Sequence, residues 1–159
     1  MRLNHAKGFT LIELLIVIAI IAILAAVVFV ALDPAKRFSQ SRNARRQSDV
    51  ENIVAALKTY QVDNNGSYPT AVSGLTNAKF YEIGTATTGC DSGCTAKTTE
   101  SSCVDLSSLV TDGYLGSMPI EPTNGAVTKT LYYLSKSATG AIEVGSCTPE
   151  LSATISVTR

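Results

Sequence analysis

Three groups of residues in this 159-residue chain could do chemistry: a carboxylate at the head of an apolar run, four cysteines, and a cluster of bases. Glu13 stands directly before an unbroken apolar stretch, residues 14–32. An ionisable group at the edge of such a segment costs up to ~3 kcal/mol near mid-membrane, less near the interface, and usually marks function. Gly8 and Phe9 lie just upstream. Gly8 has no side chain, so a protease could bring its catalytic groups close to the Gly8–Phe9 bond. A cut there would turn the Phe9 amide into a free ammonium. Phe9 and Glu13 are four residues apart, a spacing that shares one helix face. On that reading Glu13 has no partner in the intact chain and seeks the new positive charge, on its own chain or a neighbour's, after the cut. The plainer reading is a Glu that snorkels to the headgroups.

The cysteines, Cys90, Cys94, Cys103 and Cys147, all lie far from the apolar run. An even number in a segment expected outside the cytoplasm points to two disulfides, with three possible connectivities. A four-thiolate zinc site is the competing reading, but the spacings lack the paired C-x₂-C knuckles of common zinc sites. A tight Cys90–Cys94 loop, with Cys103–Cys147 tying it to a sheet, is the expected pairing.

The bases are unevenly placed. Residues 1–46 hold seven Lys or Arg against two acidic residues, and the remainder holds six against eleven, so the whole is neutral. Lys36, Arg37, Arg42, Arg45 and Arg46 form a basic patch with three readings: a solvated face beside anionic lipid headgroups, contacts to acidic residues of neighbouring copies, or nucleic-acid binding. Only Phe38 interleaves an aromatic ring with these charges, so nucleic acid is not the expected partner. Catalytic constellations are missing. His5 is the sole histidine, and there is no Gly-x-Ser-x-Gly, phosphate loop or alternating calcium-ligand pattern. The chain reads as a non-enzyme without cofactor or metal.

The elements that must position these groups follow from patterning. As a helix, residues 14–32 span ~28 Å, close to the ~30 Å hydrocarbon core. A buried core helix in so small a chain would show a polar face, and this one does not. An ordinary secretory signal, with Arg2 and Lys7 as its positive end, would have a shorter apolar region and no use for Glu13. Asp33-Pro34 reads as an N-cap with proline at the first helical position, so a helix restarts there; a continuous helix kinked at Pro34 is the alternative. Val50, Ile53, Val54, Leu57 and Tyr60 recur at three- and four-residue steps and form the stripe that carries a head. Residues 63–66 (Asp-Asn-Asn-Gly) stop the helix. Residues 70–104 are poor in large apolar side chains and read as a long loop that needs covalent staples. Residues 105–112 read as a short helix ended by Gly113, and 131–135, 141–145 and 153–157 as strands of an antiparallel meander. The expected fold is α+β: a long N-terminal helix, apolar then amphipathic, packed against a small antiparallel head.

Gly8-Phe9-Thr10-Leu11-Ile12-Glu13-Leu14, behind a short basic leader and ahead of the apolar run, resembles the class III signal of type IV pilins and pseudopilins. Weaker similarity continues in Tyr60-Gln61-Val62-Asp63-Asn64-Asn65-Gly66-Ser67-Tyr68-Pro69, like the junction of helix and head in that family. Gly113-Tyr114-Leu115 and Met118-Pro119-Ile120-Glu121-Pro122 resemble the segment leading into its sheet. The resemblance implies a plan: a leader at 1–8, a membrane and filament-core helix at 9–32, an amphipathic stem at 33–62 and a pilin-like head at 63–159. It implies that a membrane-embedded aspartyl prepilin peptidase cuts after Gly8 and N-methylates Phe9. Glu13 would then set the register of a subunit that the assembly machinery lifts from the inner membrane into a surface pilus of identical or related subunits. The head would lie outside, although the bases after the apolar run outnumber those before it and by themselves would favour the opposite topology. A pseudopilin of a type II secretion system is the alternative. Against it, Glu121-Pro122-Thr123 lacks the tryptophan usual in major pseudopilins, and the chain has none. More remote is a signal-anchored monomeric binding protein.

Overall fold

The computed structural model describes residues 8–159, so the leader residues 1–7, with His5, lie outside the described residues. The chain forms two compact units, one up to Phe38 and one from Ser39 to Arg159.

In the first unit, α1 (Leu11–Leu32) has no buried residue. Its large apolar side chains are exposed on every side of the helix. By length and composition it can cross a membrane. Asp33 ends it in the left-handed region (φ 39°). The same residue starts α2 (Pro34–Asp63): its Oδ1 accepts the Lys36 N–H at 3.2 Å, and Pro34 takes the first helical position, where no backbone donor is required.

In the second unit, α2 from Ser39 onward buries Val50, Ile53, Val54, Ala56 and Leu57. They meet one face of a four-stranded antiparallel sheet ordered β1 (Phe80–Glu82), β2 (Tyr132–Lys136), β3 (Ile142–Ser146), β4 (Ser156–Thr158). Tyr132 pairs with Ser146 and Leu134 with Val144. The two-residue period sends Tyr132, Leu134, Ile142 and Val144 to the α2 side, each fully buried. Each such side chain contributes roughly 1.5–3 kcal/mol on leaving water. Two short helices, α3 (Thr70–Ser73) and α4 (Ser107–Thr111), add Val72 and Leu109 to this core.

The other sheet face is covered too. Leu131, Tyr133 and Cys147 are buried there, with Phe80 and Cys94 packed on them. This second layer explains Gly145. A Cβ on it would lie 2.5 Å from the Tyr133 ring, so only glycine lets that ring lie flat over β3.

The stretch 70–104, expected as plain loop, contains α3 and β1. Three residues are too few to show an alternating pattern, and β1 becomes a strand only through its pairing with β2 (Tyr81 with Leu134, Glu82 with Tyr133). Its outer edge is covered by the same loop returning: the Glu100 N–H donates to Phe80 O at 2.8 Å and the Val104 N–H to Glu82 O at 2.8 Å. The last strand is also shorter than expected and begins at Ser156, because Ala153 is held in a turn by its N–H to Glu150 O.

Candidate processing and assembly site

At the head of α1, Thr10 is the N-cap, in extended conformation. The Glu13 N–H donates to Thr10 Oγ1 at 3.3 Å, and Glu13 Oε2 accepts both the Thr10 N–H and the Thr10 O–H, each at 2.8 Å. This is a reciprocal capping box, which satisfies two of the donors a helix start leaves open. Two expectations change as a result. Glu13 has a partner in the uncut chain. Phe9 precedes the cap and so lies outside the helix, where it cannot share a helical face with Glu13. The signal was readable: Thr10-Leu11-Ile12-Glu13 is the S/T-x-x-E pattern that opens helices. Gly8 and Phe9 are both open to solvent. Phe9 is 85% exposed, and among the described residues nothing lies within 4 Å of where a Gly8 Cβ would be. Among the described residues the Gly8–Phe9 bond is exposed, ahead of a capped helix. Glu13 holds its carboxylate on the N–H of the residue next to that bond.

Of the basic residues, Lys36 and Arg37 are exposed in the first unit, and Arg45 is 65% exposed with Asp49 at 3.9 Å. Arg46 is not on a solvated face. It is buried, and its guanidinium is paired with Glu121, also buried, including Nε to Oε1 at 2.9 Å. Burial pushes the Glu121 carboxyl up, but N–H groups of Asn124 and Thr123 together with Arg46 outweigh it and hold the group below its usual range. Glu150 collects Arg42 Nε at 2.7 Å, Arg46 Nη1 at 2.8 Å and the Ser39 hydroxyl at 3.1 Å. Those donors, Arg42 first, hold its carboxyl at about 2. Asn43 completes the clamp by bonding both the Glu150 carbonyl, at 2.7 Å, and the Glu150 N–H, at 3.0 Å. Ser39, Arg42, Asn43 and Arg46 fall at three- and four-residue steps, so one face of α2 grips the segment before β4. Arg42 and Arg46, expected to face solvent and lipid, neighbouring copies or nucleic acid, instead pair with acidic residues of their own chain. Neither Glu121 nor Glu150 carried a local signal for this role.

All four cysteines are in disulfides, but in a different pairing from the expected one: Cys90 with Cys103 and Cys94 with Cys147. A Cys90–Cys94 bond would close a tiny loop. In the fold, Cys94 is instead carried onto the back of the sheet beside Cys147, with Thr95 and Ala96 N–H groups both on the Cys147 carbonyl. Glu82 was not singled out by its sequence context. It is fully buried in β1, with Oε1 accepting the Leu131 N–H at 3.2 Å and Oε2 unpartnered among the described residues. Desolvation holds its carboxyl above the usual range, against the pull of the Leu131 N–H and of Lys129.

Residues 3–29 match the family model described as the prokaryotic N-terminal methylation motif. The N-terminal segment is therefore that of the type IV pilin and pseudopilin family. Among characterised proteins, the chain is 48% identical over 63 residues to the type IV wide pilus major component PilA4 of Thermus thermophilus, a match covering 40% of this chain and 47% of that protein. It is 37% identical over 75 residues to the type II secretion system core protein G of Pseudomonas aeruginosa, covering 47% and 51% respectively. The core protein G of Klebsiella michiganensis is 41% identical over 78 residues, again covering 47% and 51%. The chain thus spans about half the length of the relatives it matches. No solved structure matches it significantly.

Proposed function

We propose that this chain is a prepilin, cut between Gly8 and Phe9, N-methylated on Phe9 and polymerised with copies of itself or related subunits into a type IV pilus. The observation that carries the reading is α1: a 22-residue helix, apolar all round, behind a methylation motif and with no buried residue. Such a surface is stable only in lipid or among other apolar helices. Before assembly the inner membrane supplies the first environment, and the packed core of a filament supplies the second. The head faces outward, where the disulfides Cys90–Cys103 and Cys94–Cys147 persist.

The capping box adds a mechanism for Glu13. In the uncut chain its carboxylate is held by Thr10. Cleavage places an ammonium one residue before Thr10, and a full positive charge competes for a carboxylate better than a neutral N–H does. Glu13 then pairs with the Phe9 ammonium of a subunit already in the filament, or of its own chain, and fixes the register at which the new helix docks. The prepilin peptidase, the assembly machinery and the anionic lipid beside Lys36 and Arg37 are the partners this scheme requires.

The similarity to two type II secretion core proteins G supports a second reading, a pseudopilin whose filament remains at the membrane. Mass spectrometry of the N-terminal peptide separates the readings. N-methylated Phe9 in sheared cell-surface material is expected for a pilin. The same peptide confined to membranes would favour the pseudopilin, and an intact leader in both fractions would overturn both.

A further inference from the structure

The buried carboxylate of Glu82 has no role in the scheme proposed above. A carboxylate oxygen without a partner in a dry interior is costly, so a group placed there calls for a reason. A carboxylate oxygen of Glu82 and the sulfurs of Cys90 and Cys103 all lie within 4.8 Å of one another. With both sulfurs in a disulfide, the trio offers no thiolate to a metal. The two sulfurs are not equivalent. Cys90 is fully buried, while Cys103 is partly exposed. The Glu82 carboxylate is backed by Gly93, where a Cβ would stand 3.5 Å from Oε2. Lys129, whose ammonium bonds the Gly89 carbonyl, is the charged group acting on it from the neighbouring turn.

We propose that Glu82 is the proton acceptor for closure of the Cys90–Cys103 disulfide. The partly exposed thiol of Cys103 first attacks an external disulfide RSSR, such as oxidised glutathione or the disulfide of a thiol oxidase, giving the mixed disulfide Cys103–S–S–R and one RSH. The Cys90 S–H, shut away from water, passes its proton to Glu82. Its thiolate then attacks Cys103 Sγ, the S–S bond to R breaks, and RS⁻ leaves and takes up the proton from Glu82. Two thiols are oxidised and one external disulfide is reduced to two RSH. A buried thiol is otherwise a poor nucleophile, because desolvation disfavours its thiolate. The raised proton affinity of Glu82 suits a base working nearer neutrality than an exposed carboxylate would.

The test uses the full-length chain in detergent, reduced, with its fold verified by circular dichroism. Oxidised glutathione is added, thiols are blocked at intervals, and peptide mass mapping follows each disulfide separately. Glu82→Gln should slow closure of Cys90–Cys103 by at least about tenfold near pH 6 and leave Cys94–Cys147 unchanged. The difference should narrow as pH rises and hydroxide takes over removal of the Cys90 proton. If Glu82→Gln does not fold, the wild-type pH profiles decide. Closure of the Cys103 mixed disulfide by Cys90 should stay level below the thiol range and fall only where Glu82 itself takes up a proton, while that of Cys94–Cys147 falls about tenfold per pH unit throughout. Equal rates in wild type and variant, or parallel pH profiles for the two bonds, would overturn the proposal.

Discussion

Arg46, on the stem helix, is ion-paired with Glu121, seventy-five residues further along the chain, and both side chains are buried. A pair so enclosed is held by mutual compensation: each charge is tolerable only while the other is present. Arg46→Met should therefore destabilise the head by roughly 3–5 kcal/mol, because it strands the Glu121 charge. Chemical denaturation of the full-length protein in detergent reads this directly. Adding Glu121→Gln, which removes the stranded charge and keeps an acceptor for the Thr123 and Asn124 N–H groups, should recover a substantial part of the loss.

Acid should loosen the same clamp. The carboxyls of Glu150 and Glu121 are both held below their ordinary range, so the stability they bring is complete above that range and is lost as pH falls through their folded values. For Glu150 the window runs from the ordinary 4.5 down to about 2. Thermal midpoints measured across that window should fall steeply for wild type and less steeply for Glu150→Gln. Glu82 runs the opposite way. Its carboxyl is held above 4.5 by burial, so it contributes most when protonated and costs stability as pH rises through its folded value. Glu82→Gln should accordingly gain stability relative to wild type toward neutral pH.

The two disulfides close loops of different length, with sequence separations of 13 for Cys90–Cys103 and 53 for Cys94–Cys147. By loop-closure entropy, removing the first as a Cys→Ser pair should cost about 3 kcal/mol and removing the second about 4 kcal/mol. The order is the testable part. Losing Cys94–Cys147 also releases the loop from the back of the sheet, so Tyr133 should become more accessible in that variant alone.

At the helix start, Thr10→Ala should cost about 0.5–2 kcal/mol of local helix stability by removing the cap. Faster amide exchange confined to Leu11–Leu14 would register it. Glu13→Ala removes the other half of the box and the charge together. It should still be cleaved after Gly8 but should assemble poorly. Normal filaments from cleaved Glu13→Ala protein would remove Glu13 from the assembly scheme, while Thr10→Ala separates capping from assembly.

Much of this protein is determined locally and can be read from its residues in order. The apolar run 14–32 dictates α1 because no interior of so small a chain could bury a helix that is apolar all round. Asp33-Pro34 dictates the restart of a helix, the stripe Val50, Ile53, Val54, Leu57 dictates the face that carries the sheet, and β2 and β3 are short runs rich in strand-forming residues on either side of a turn. Each of these depends on neighbours within a few residues. What the tertiary structure alone decided are relations across long stretches of chain. The partners of Arg42 and Arg46 lie 75 to 108 residues away. The choice among three disulfide pairings depended on which strand the loop crosses, and β1 needed β2 to exist at all. Charge attraction, disulfide bonding and strand pairing are short-ranged in space but indifferent to sequence distance. Local pattern therefore identifies the groups that must find a partner, and only the folded chain settles which partner each one finds.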